Sequence, residues 1–80
     1  MSDVRDVRLK PIIEAIELYL LEHPAAADSE LGISEWWLYE SGVDGTVEEV
    51  AEALRLLAIK GVVEKIVIGG GHCIWRAAQV

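Results

Sequence analysis

The chain holds a single cysteine, Cys73, so it can form no internal disulfide, and nothing in its cysteine usage suggests an oxidising compartment. One cysteine and two histidines, His23 and His72, provide neither a zinc spacing nor the thiolate set of an iron–sulfur cluster. No metal site and no cofactor is therefore expected. No apolar run approaches the ~20 residues needed to span a bilayer. The opening stretch MSDVRDVRLK lacks the apolar core of a secretory signal, so no membrane partner is expected and the cytoplasm is the expected location. Lysine and arginine are absent from residues 11–45, which rules out phosphate neutralisation by that stretch.

Catalytic groupings are missing as well. Nothing pairs either histidine with a nucleophile, since His72 and Cys73 as neighbours in an extended segment point to opposite faces, and 80 residues leave little room for an enclosed pocket. Gly69-Gly70-Gly71 follows an extended segment, has no lysine beside it and opens no helix, so it reads as a turn and not a phosphate loop. An enzyme is not expected.

What the chain does contain is apolar material for a core: 52% of its residues are hydrophobic and 26% charged, enough for one folded domain and too much for a disordered tail. The net charge of −7 is concentrated in one segment. Residues 11–45 carry eight acidic groups, whereas residues 1–10 and 46–80 are each close to neutral.

Residues 1–10 alternate charge without a helical period and read as a flexible N-terminal arm, leaving 11–80 as the folded domain. Pro11 suits the first position of a helix. Ile12, Ile13, Ile16, Tyr19 and Leu20 then form an apolar stripe that Pro24 brings to an end. A second helix starts after Asp28 or Ser29, either of which can cap it, and buries the side carrying Ile33, Trp36 and Trp37. Gly32, inside that helix, marks a close packing contact. The turn Ser41-Gly42-Val43-Asp44-Gly45 precedes Thr46 and Glu49, a capping box that opens a third helix ending at Gly61. The β-branched run from Val62 to Ile68, the three glycines and Cys73-Ile74-Trp75-Arg76 form a β-hairpin.

The expected fold is thus α+β, three helices followed by a hairpin wing. Ala53-Leu54-Arg55-Leu56-Leu57-Ala58-Ile59-Lys60-Gly61-Val62-Val63-Glu64-Lys65 resembles the helix end and first wing strand of the winged helix-turn-helix superfamily. His72-Cys73-Ile74-Trp75-Arg76 resembles the returning strand, with Trp75 where the family commonly places an aromatic. Ala26-Ala27-Asp28-Ser29, Gly32-Ile33 and Trp36-Trp37-Leu38 resemble a set of short, uncharacterised bacterial winged-helix proteins, a likeness that brings no activity with it.

The resemblance implies DNA binding through the third helix, and the charges oppose it. Glu48, Glu49 and Glu52 occupy the turns that would enter the groove, and the wing tip has no cation. Trp36 and Trp37 diverge by about 100° on a helix, so one should be core and the other an exposed interface anchor. The expected function is a non-catalytic protein-binding adaptor or regulatory module using Trp36, Trp37, Glu48, Glu49 and Glu52. The alternative is a DNA-binding transcriptional regulator acting as a dimer through Arg55, Lys60, Lys65 and Arg76, with the arm's Arg5, Arg8 and Lys10 in support. The partner of the first reading is another protein, and a homodimer is left open.

Overall fold

A computed structural model describes residues 4–78, with side chains described over 7–78. Three helices and a three-stranded antiparallel sheet give the expected α+β layout, that of a winged helix. Helix α1 spans Val4–Glu22 and strand β1 spans Ala27–Asp28. Glu30–Gly32, the wide turn Ile33–Trp37 and Leu38–Ser41 run on from one another as one helical segment, α2. Helix α3 is Val47–Ile59, and strands β2, Val63–Ile68, and β3, His72–Ala77, form the wing.

Helix α1 corrects the flexible arm. It begins at Val4, so Pro11 lies inside it and not at its start; residues 1–3 of the arm fall outside the described residues. Proline removes the bond its N–H would donate four residues back. Burial offsets that loss: Leu9 is 2% exposed and continues the inward stripe of Ile12, Ile16 and Leu20 by one turn. A mixed-charge decapeptide with one well-placed leucine gives little period to read, and its helicity comes from tertiary packing.

The start of α2 shows why Gly32 must be glycine. Ser29 is the N-cap, accepting a hydrogen bond from the Gly32 N–H at 3.1 Å, while the Ser29 N–H donates to the Asp28 carboxylate at 2.8 Å. A Cβ at position 32 would overlap that carboxylate. In the wide turn that follows, the Leu38 N–H reaches the Ile33 carbonyl five residues back. The extra residue in this π-turn rotates the rest of the helix, so that Ile33, Trp37 and Leu38 are all buried.

Helix α3 starts at the expected box: the Thr46 hydroxyl accepts from the Glu49 N–H at 3.1 Å, and the Glu49 carboxylate accepts from the Thr46 N–H at 3.0 Å. It ends where Gly61 adopts a positive φ of 78°, which only glycine takes without cost. Val50, Ala53, Leu54 and Leu57 face inward from it, meeting the α1 stripe and the α2 residues in one core that Val63 and Trp75 close from the sheet side.

In the sheet β3 is central, with β2 on one side and β1 on the other. The hairpin turns at Gly69–Gly71 and pairs Ile68 with His72 and Val63 with Ala77. Strand β1 was not anticipated. It is two residues long, pairing Ala27 with Arg76 and Asp28 with Trp75, and it holds the segment leading into α2 against the wing.

Candidate protein-binding surface

The two tryptophans separate as their helical spacing requires. Trp37 is 2% exposed and stacks on Tyr19 of α1, with ring centroids 4.5 Å apart and planes 12° from parallel. Trp37 is therefore core, and it drops out of the expected binding set. Trp36 is 64% exposed. Three residues on, Tyr39 is 78% exposed, and residues three apart are neighbours on a helix surface. Glu35 and Glu40, both exposed, frame the pair. The sequence reading missed Tyr39; its signal was the i, i+3 spacing from Trp36, which only becomes informative once Trp36 is known to face solvent.

Exposed aromatics of this kind carry large contact area with few rotatable bonds, so ordering them on binding costs little. Glu35 and Glu40 add negative charge beside them in the chain, and α3 carries further carboxylates at Glu48 and Glu52. Glu48 is exposed, while Glu49 is half-buried and engaged, with its carboxylate on the Thr46 N–H and 3.8 Å from Arg8. Glu49 thus acts in folding α3 and has little freedom to meet a partner.

The cations of the alternative reading do not converge. Lys65 and Arg76 lie on opposite faces of the sheet, because Lys65 is registered with Trp75 and Arg76 with Glu64, neighbouring rungs of one ladder. Arg76 donates to the Glu64 carboxylate at 2.8 Å, and the Lys65 ammonium sits 5.7 Å from the centre of the Trp75 ring. Lys60 borders a groove along α1 shared with Lys10, Glu14 and Glu17. Arg55 is exposed on α3. Of the arm's cations, Arg8 and Lys10 stand on α1, and the Arg5 side chain lies outside the described residues. The wing tip holds His72 and apolar groups, with Val67 71% and Ile68 47% exposed.

Among the described residues no three His, Cys, Asp or Glu side chains gather as a metal site would require, and no helix is long and apolar enough to cross a membrane. His23 packs against Tyr19 at 4.5 Å, and Cys73 is half-buried in β3. Comparison with protein-family models, curated proteins and solved structures returns no match.

Proposed function

We propose that this chain is a non-catalytic protein-binding module of the winged-helix superfamily, acting in the cytoplasm, with Trp36 and Tyr39 of α2 as its anchor and the carboxylates of α2 and α3 as its charged frame. The exposure of Trp36 and Tyr39 carries this reading, since two aromatics three residues apart at 64% and 78% exposure leave apolar area in water that a partner would cover. The reading as a DNA-binding regulator has fold analogy behind it, and fold alone does not confer function. Against it stand Glu48, Glu49 and Glu52 on the groove-reading helix and four cations dispersed over two sheet faces and one helix.

Two measurements test the proposal together. In a mobility-shift titration at ~0.15 M salt the protein should leave random duplex DNA unshifted up to ~100 µM, where ordinary DNA-binding domains already bind non-specifically. Affinity capture from native lysate should retain a protein on the unmodified domain and lose it on the Trp36→Ala, Tyr39→Ala double variant, with circular dichroism unchanged. A DNA shift at micromolar concentration would replace the proposal with the regulator reading.

A further inference from the structure

Helix α1 is apolar on two opposite sides. Leu9, Ile12, Ile16 and Leu20 face the core, and Val7, Leu18 and Leu21 are 66%, 49% and 78% exposed. At about 100° per residue these last three fall within roughly 60° of one another, on the side away from the core. With Pro11 and Glu14 they recur at spacings of four, three, four and three, the stripe that lets one helix pack along another. Within the described residues this stripe stays largely open, with Ser41 and Val43 bordering it beside Pro11 and Leu18, and shallow grooves of about 430 and 550 Å³ run along it, both bordered by Glu14 and Glu17.

The charges on the same helix identify what fits. Arg8 and Lys10 lie in its N-terminal half; Glu14, Glu17 and Glu22 lie in its C-terminal half. A parallel copy would set like charges side by side. An antiparallel copy sets the basic half of each helix against the acidic half of the other, twice, by two-fold symmetry. The same arrangement brings Val7 of one copy to the Leu18–Leu21 stretch of the second. Val7 and Leu21 are separated by about 21 Å along the helix, at 1.5 Å per residue. Away from its midpoint, where Glu14 comes near the Glu14 of the second copy, the stripe is self-complementary in charge and in apolar content, with Lys10 set against Glu17; the aromatic pair on α2 is not, since Glu35 and Glu40 would face only further carboxylates.

We propose that α1 is a homodimerisation surface, pairing antiparallel with α1 of a second copy through Val7, Leu18 and Leu21 flanked by Lys10 and Glu17. The overall charge of −7 on each copy opposes association. At ~0.15 M salt the Debye length is about 8 Å, so charges spread over the two domains are largely screened while contacts inside the helix pair are not. The surface is distinct from the α2 anchor, and either can fail without the other.

Sedimentation velocity decides the matter. The unmodified chain should sediment as a dimer at ~100 µM, and Leu18→Glu, Leu21→Glu should sediment as a monomer with unchanged circular dichroism. Orientation is read from two single-cysteine variants in a Cys73→Ser background, Val7→Cys and Leu21→Cys. Under oxidation each alone should stay uncrosslinked, and an equimolar mixture should form a disulfide-linked heterodimer. A monomeric unmodified chain at that concentration overturns the proposal, as does a dimer indifferent to Leu18 and Leu21. Crosslinking of either variant with itself, without crosslinking in the mixture, overturns the antiparallel pairing.

Discussion

The Tyr19 ring of α1 and the Trp37 ring of α2 lie stacked at 4.5 Å, and this contact fixes which of two adjacent tryptophans meets solvent. With Trp37 held beneath α1, its neighbour Trp36 is turned outward to 64% exposure. The packing of one residue thereby creates the surface role of the next.

Truncation at the two positions should differ sharply. Trp37→Ala should cost roughly 3–5 kcal/mol, a large fraction of the stability of a domain this size, by urea unfolding followed with circular dichroism. Trp36→Ala should change stability by about 0.5 kcal/mol and weaken partner binding.

Leu9→Ala should destabilise the domain by about 2–5 kcal/mol, the range for a fully buried leucine. A truncation starting at Pro11 should fail to reach the native midpoint for the same reason. An unchanged midpoint would return residues 4–10 to the status of a dispensable arm.

Gly32→Ala should lower stability by about 1 kcal/mol, although alanine is favoured over glycine in a helix by a similar amount. The new methyl group would displace the Asp28 carboxylate from the Ser29 N–H. Combining it with Asp28→Ala should reveal a favourable coupling of ~2 kcal/mol in a double-mutant cycle, because the obstructing group is then gone and the preference for alanine remains. Strictly additive effects would mean that Asp28 is not what excludes a side chain at 32.

Reversing Glu48, Glu49 and Glu52 together to lysine raises the net charge from −7 to −1 and should create non-specific, salt-dependent DNA binding visible in a mobility shift. The change also costs stability, about 1 kcal/mol, since the Glu49 carboxylate is half of the capping box at Thr46. An unshifted triple variant would show that charge is not what keeps this fold off DNA.

The elements with strong local signals were readable in advance. Thr46 and Glu49 cap α3 as their spacing dictates, Gly61 ends it, and the glycine triplet turns the wing, because each depends on hydrogen bonds or backbone angles set within a few residues. Gly32 announced a close contact, though not that Asp28 makes it. The charge distribution is a property of the sequence outright, so the acidic character of α2 and of the first turns of α3 needed no coordinates.

Long-range packing decided the rest. Residues 4–10 became helix because Leu9 found a place in a core assembled from α2 and α3, which no local period encodes. Ala27 and Asp28 became a strand only because the returning wing strand offered partners more than forty residues away. The choice between Trp36 and Trp37 was closed by a π-turn and by the Tyr19 ring. The sequence by itself determined where α3 starts and stops, where the wing turns and where negative charge accumulates. Only the tertiary structure decided which apolar residues are left facing water, because burial depends on what the remainder of the chain brings to each face.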